Sequence, residues 1–140
     1  MSKYYVDIYS EKDINIALNY VSKVVDDLAF SEMDKQKVLV SVAELTRNIL
    51  DHTNSKGYFC CEGIFNEAIR IEIVDHGDGI EELENVLSGK EYIGKGLGLG
   101  LAGSKKLMDD FTIESSKGGT KIVAVKWKTG RRRKEKRTHN

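Results

Sequence analysis

Residues 68–75, AIRIEIVD, carry the most constraining pattern in the chain. Ile69, Ile71 and Ile73 alternate with Arg70, Glu72 and Val74, a period of two that belongs to a strand with one buried face. The same parity puts Asp75 on the side of Ile71 and Ile73, so a carboxylate stands where another apolar residue is due. Such a strand needs neighbours along its edges and a cover on one face. The β-rich run YFCCEGIF at 58–65, joined to it by a short polar turn, supplies one neighbour as a hairpin.

The flanking segments supply the cover. YYVDIY at 4–9 has strand composition, and Ser10 then offers an N-cap for a helix reaching about Leu28, with Ile14, Ala17, Leu18, Val21 and Val25 on one face. Ser31 and Asp34 resemble a capping box and open a second helix to about Thr53, with Val38, Val42, Leu45 and Ile49 at helical spacing. An NSKG turn at 54–57 leads into the hairpin. A polar, glycine-punctuated stretch from His76 to Gly100 follows, with a short helix predicted over Glu81 to Leu87. A helix from about Leu101 to Met108 and two strands, FTIESS and GTKIVAVKW, complete the order. The succession β-α-α-β-β-loop-α-β-β has no βαβ alternation. It predicts an α+β fold of two layers, a mixed and mostly antiparallel sheet with helices on one face.

Length sets one domain as the default for 140 residues, expected over 1–128. Residues 131–140, RRRKEKRTHN, carry a net charge of +5, which leaves −5 for the rest because the whole chain sums to zero. An acidic body argues against nucleic acid as a partner, and residues 129–140 read as a basic, solvated tail. No apolar run approaches the roughly 18 residues of a membrane span, and MSKYYVDIYS has no apolar signal region. A cytoplasmic protein without membrane contact is the expectation. The adjacent Cys60 and Cys61 point to opposite faces of a strand and read as small buried hydrophobes rather than a disulfide or a zinc site.

Four short patterns carry possible chemistry. In Glu44-Leu45-Thr46-Arg47-Asn48 the acid and the amide lie four residues apart, side by side at the margin of the apolar stripe. Such a pair can orient a hydroxyl and ligate magnesium through the amide oxygen. In Asp75-His76-Gly77-Asp78-Gly79 the core-facing acid needs a partner, which a purine's exocyclic amine would supply, while Gly77 and Gly79 let the backbone turn tightly beside a flat base. His76 reads as an exposed loop residue. The run Gly94-Lys95-Gly96-Leu97-Gly98-Leu99-Gly100-Leu101 can offer successive backbone N–H groups to phosphate oxygens, with Lys95 as a point charge and a helix N-terminus behind it. Two other signatures half-match here and fail. Gly89 to Lys95 fits a P-loop, but Gly96 stands where a hydroxyl is needed, and the dinucleotide pattern at Gly98, Gly100 and Gly103 lacks its preceding strand. Gly118-Gly119-Thr120 opens the last strand, where a hydroxyl can meet the same base edge as Asp75.

Taken in order, ELTRN, DHGDG, GKGLGLGL and GGT resemble the four ATP-site motifs of the GHKL superfamily, which shares the Bergerat α/β sandwich. The short length, ELTRN and GLGLGLAGSKKLMDDF are similar to the anti-sigma-type serine/threonine kinases, above all the RsbT-like switch kinases of the stressosome. The resemblance implies ATP and Mg²⁺, with Glu44 as general base and Asn48 as magnesium ligand. It also implies Asp75 as acceptor of the adenine amine, supported by Thr120, with Gly77 and Gly79 in the base pocket. Lys95, Gly96, Leu97, Gly98, Leu99 and Gly100 would form the phosphate loop, and the segment around Tyr92 a mobile lid. It further implies that the phosphoryl acceptor is a serine or threonine of a STAS-domain partner, and that a phosphatase or other output protein lies downstream. An anti-sigma factor or nucleotide-bound adaptor is the alternative. A histidine-kinase ATP-binding half fits less well, because no phosphoacceptor histidine precedes the first strand.

Overall fold

The computed structural model describes residues 3–52, 56–77 and 97–128. Five strands and three helices follow in the order β1 (Lys3–Ile8), α1 (Glu11–Asp27), α2 (Glu32–His52), β2 (Gly57–Ile64), β3 (Ala68–Asp75), α3 (Leu97–Leu107), β4 (Asp110–Ser116) and β5 (Gly119–Trp127). The sheet order is β1-β2-β3-β5-β4. Every strand pairing among the described residues is antiparallel, so the sheet is not mixed. The alternating strand lies in the middle, which is why its pattern is the cleanest. Phe59, Cys61, Ile69, Ile71, Ile73, Ile122 and Ala124 are buried in the core with Ile14, Val21, Val25, Val38, Val42, Leu45 and Ile49 of the two long helices.

The helix boundaries follow from local chemistry. Asp13 accepts the backbone N–H groups of Tyr9 and Ser10 at 2.9 and 3.1 Å, satisfying donors at the start of α1. At its end Ala29 takes a left-handed φ of 60°, and the N–H groups of Ala29 and Phe30 return to the carbonyls of Asp26 and Val25 at 3.0 Å. This is a Schellman turn with alanine in the seat glycine usually takes. Ser31 Oγ then caps α2 by accepting the Asp34 N–H at 3.1 Å, so the two helices join with a minimal link. The helix-facing side of β5 ends on a charge: buried Lys126 pairs with Asp109 at 3.3 Å and Asp34 at 3.9 Å, tying the sheet to the start of α2.

The two cysteines are free and buried. Burial pushes the Cys61 thiol up to about 12 and raises Cys60 in the same direction, so both are poor nucleophiles. Among the described residues no helix is long and apolar enough to cross a membrane.

The β2–β3 turn is closed by the Glu67 N–H on the Ile64 carbonyl at 2.9 Å, with Phe65 and Asn66 at φ 49° and 58°. Two positive φ values define a type I′ turn, which suits Asn-Gly rather than Phe-Asn. Phe65 is 85% exposed, so its ring contributes nothing to the core. Replacing Phe65→Asn together with Asn66→Gly is expected to stabilise the fold by about 1 kcal/mol, because neither new residue resists the left-handed region. A higher urea midpoint at unchanged slope is the check.

Candidate functional site

The last residue of β3 forms one wall of a cavity of about 420 Å³ at the end of the sheet. Its lining includes Asp75, His76, Ser115, Ser116, Gly119 and Thr120. Asp75 pairs with Thr120 across the β3–β5 ladder, and Ser115 pairs with Thr120 across β4–β5. Strand pairing therefore puts the carboxylate and both hydroxyls in one row, as the parity of the alternating run predicts for Asp75.

Asp75 is half-buried, and its Oδ1 accepts the Gly77 N–H at 2.9 Å. Burial raises its pKa, opposed by hydrogen bonds from the backbone of Gly77 and Thr120 and by the neighbouring His76. The carboxylate is thus desolvated yet held in place. His76 is exposed at the rim, as its loop position suggests.

Gly119 makes this approach possible. It has φ 137°, and a Cβ there would lie 2.1 Å from the Asp75 carbonyl oxygen and 3.0 Å from His76 Cα. Any side chain would force β5 away from β3, and the Asp75–Thr120 row with it. Gly118 has no such constraint, since the nearest atom to a Cβ there is 3.8 Å away.

Helix α2 brings a second group of residues to the same end. The site of a Cβ on Gly57 lies 2.4 Å from the Val74 carbonyl oxygen and 3.0 Å from the Ile49 side chain, and Gly57 pairs with Asp75. The C-terminal half of α2 therefore rests beside the end of β3. Within ELTRN the five residues divide by role. Leu45 and Thr46 are buried, the Thr46 hydroxyl donating to the Val42 carbonyl at 2.7 Å. Arg47 forms an ion pair with Glu11, which fastens α2 to the first turn of α1. Glu44 is exposed and Asn48 half-buried. The Asn48 Nδ2 is shielded from solvent with no hydrogen-bond partner among the described residues. A shielded amide without a partner is costly in a finished core, and is what a binding site waiting for a polar ligand presents.

The glycine run is corrected in one respect. The helix is expected from about Leu101, yet α3 begins at Leu97, so Gly98 and Gly100 lie in its first turn rather than in a loop. The physical reason is that the first four N–H groups of a helix have no partner within it. Glycines there offer donors to an anion at a helix end as well as a loop would. Helix α3 packs on α2 with Leu101, Ala102 and Ser104 buried. Gly79, Lys95 and Gly96, the predicted helix over 81–87 and the lid around Tyr92 lie outside the described residues.

Ser115 was not among the residues singled out from the sequence. Its Oγ is 2.9 Å from Thr120 Oγ1. Only the β4–β5 register joins the two, and FTIESS by itself reads as an ordinary edge strand.

Residues 11–126 match the model of the family described as "Histidine kinase-like ATPase domain". The chain is 34% identical over 126 residues to the serine/threonine-protein kinase RsbT of Bacillus subtilis, covering 87% of this chain and 94% of that protein. It is 32% identical over 105 residues to the anti-sigma F factor of Clostridium acetobutylicum, covering 71% and 73%. Among solved structures, the RsbU and RsbW domains of Rv1364c from Mycobacterium tuberculosis superpose with a TM-score of 0.64 at 12% identity, over 90% of this chain and 32% of that one. The last likeness is one of fold alone.

Proposed function

The chain belongs to the histidine kinase-like ATPase domain family, and from that premise we propose that it is an ATP-dependent serine/threonine protein kinase acting on a STAS-domain regulatory partner in a stress-signalling partner switch. The observation that carries the reading is the row of Asp75, Thr120 and Gly119 at the cavity, with the Asn48 amide nitrogen, shielded and without a partner among the described residues, on the adjoining helix. A half-buried carboxylate facing a cavity accepts the exocyclic amine of adenine, and the Thr120 hydroxyl takes the neighbouring position on the base. Gly77, and Gly79 by the motif it belongs to, are the residues proposed to let the backbone approach the base. The backbone of Lys95 to Gly100, with the first turn of α3, receives the phosphates, and the Lys95 ammonium adds a positive charge.

Asn48 would hold magnesium through its amide oxygen, since Mg²⁺ takes hard oxygen donors together with substrate phosphates, while its shielded Nδ2, which has no partner among the described residues, is free to donate to an oxygen of the ligand. The ion supplies neutralisation of the phosphate charge when bound. Glu44 accepts the proton of the attacking hydroxyl. Its exposure suits a protein substrate, whose serine or threonine has to reach it from outside. The remaining contribution of the chain is to orient ATP and exclude water.

Incubation with labelled ATP, Mg²⁺ and STAS-domain proteins from the same genome is expected to give an acid-stable phosphoserine or phosphothreonine. Acid-labile product would favour phosphohistidine chemistry, and no transfer to any of them would reject the proposal. A binding role is the second reading, favoured by the identity to an anti-sigma factor. Co-purification with a sigma subunit, without phosphate turnover, would establish it instead. A phosphatase or other output protein downstream belongs to the switch-kinase reading only.

A further inference from the structure

We propose that Ser115 is a positioning residue that orients the hydroxyl proton of Thr120 and thereby sets the preference of the cavity for adenine over guanine. The inference rests on the ATP reading above and extends it to a residue outside the four motifs. Thr120 is 5% exposed, so bulk water does little to satisfy its hydroxyl. That hydroxyl has one proton to give and two lone pairs. Its Oγ1 is 2.9 Å from Ser115 Oγ, a distance at which one of the pair donates and the other accepts. Which one donates decides what Thr120 can offer a ligand.

The neighbouring carboxylate fixes the other half of the pattern. Ionised Asp75 only accepts, and it stands opposite Thr120 in the ladder. On the base edge, adenine presents an amine donor next to a ring-nitrogen acceptor, whereas guanine presents a carbonyl acceptor next to an N–H donor. A site selective for adenine therefore needs an acceptor beside a donor. Asp75 is the acceptor. Thr120 is the donor only when its proton is not spent on Ser115, that is, when Ser115 donates to Thr120. Without Ser115 the Thr120 hydroxyl turns freely and can offer guanine a lone pair. The ladder pairing of Ser115 with Thr120 holds the two oxygens together before any ligand arrives, so little ordering remains to be done on binding.

The test is the affinity of the full chain for ATP, 1-deaza-ATP and GTP, measured by calorimetry or competition, together with the melting temperature of each ligand-free variant. Ser115→Ala is expected to weaken ATP by about 3- to 10-fold and to narrow the ratio between ATP and GTP, the effect of one hydrogen bond. Binding of 1-deaza-ATP, which lacks the ring nitrogen, should change by less than about twofold, and Ser115→Thr should restore ATP binding. In a Thr120→Val background Ser115→Ala should have no further effect, since the group it acts through is gone. Equal losses for ATP and 1-deaza-ATP, or unchanged ATP binding in Ser115→Ala, would overturn the role of Ser115 alone. No ATP binding by the wild type would overturn the kinase reading and this one with it.

Discussion

Asp75→Asn is expected to weaken ATP binding by about 100-fold while leaving the ligand-free fold at least as stable as the wild type. The amide retains one acceptor oxygen for the Gly77 N–H, so the turn after β3 survives. What it loses is the charge, and its NH₂ then turns a donor toward the amine of the base. A charge-assisted hydrogen bond is worth about 1.5–3 kcal/mol and leaving the amine unpaired adds to the loss, which places the effect near two orders of magnitude. The stability half follows from the raised pKa. A carboxyl whose folded pKa lies above its unfolded value contributes stability that is fully present below the unfolded pKa and is lost as pH rises through the folded one. Ionised Asp75 is therefore a burden on the empty fold at neutral pH, and asparagine removes it. In the wild type, ATP affinity should rise with pH through the same titration, because the ionised form is the acceptor. Calorimetry across acidic to neutral pH and melting of the empty protein test both halves. An Asp75→Asn protein that binds ATP as well as the wild type would remove the acid from the base pocket.

The same residue marks how far the sequence reaches. The alternation through Ile69, Ile71 and Ile73 locates the central strand, and parity alone assigns Asp75 to the helix side, because the period of a strand is short and rigid. Glu44 and Asn48 are equally legible, since four residues on a helix return to the same face. Four features are not. The Ser115–Thr120 pair depends on which strands are neighbours and in what register, information that no local pattern holds. The requirement for Gly119 comes from the Asp75 carbonyl 2.1 Å from where its Cβ would stand, a contact between residues far apart in the chain. The start of α3 at Leu97 escapes a propensity argument, because glycines at 98 and 100 disfavour a helix locally and packing of the helix against α2 overrides them. Lys126 belongs with these, a charge at a core-facing position whose acidic partners lie on other elements.

The largest kinetic effect is expected at Glu44. Glu44→Gln should lower phosphoryl transfer by about 10²- to 10⁴-fold, the range for loss of a general base, with ATP affinity within about twofold of the wild type. The substitution keeps size and helix propensity, and it removes the charge and with it proton acceptance, leaving one acceptor oxygen and an NH₂ donor in place of the carboxylate. The surroundings make it a clean test. Leu45 and Thr46 hold this turn of α2 in the core, and the Arg47 guanidinium is engaged by Glu11, so the change removes no ion pair that anchors the helix. An exposed side chain also leaves folding stability nearly unchanged. Single-turnover transfer to a STAS-domain acceptor at saturating ATP separates chemistry from binding. A rate above about a tenth of the wild type would exclude Glu44 as the base, since general bases contribute more than that. A parallel loss of ATP affinity would instead assign it to nucleotide binding. If both predictions hold, comparison with Asp75→Asn would divide the proposed site into two halves, a strand end that selects the base and a helix face that acts on the incoming hydroxyl.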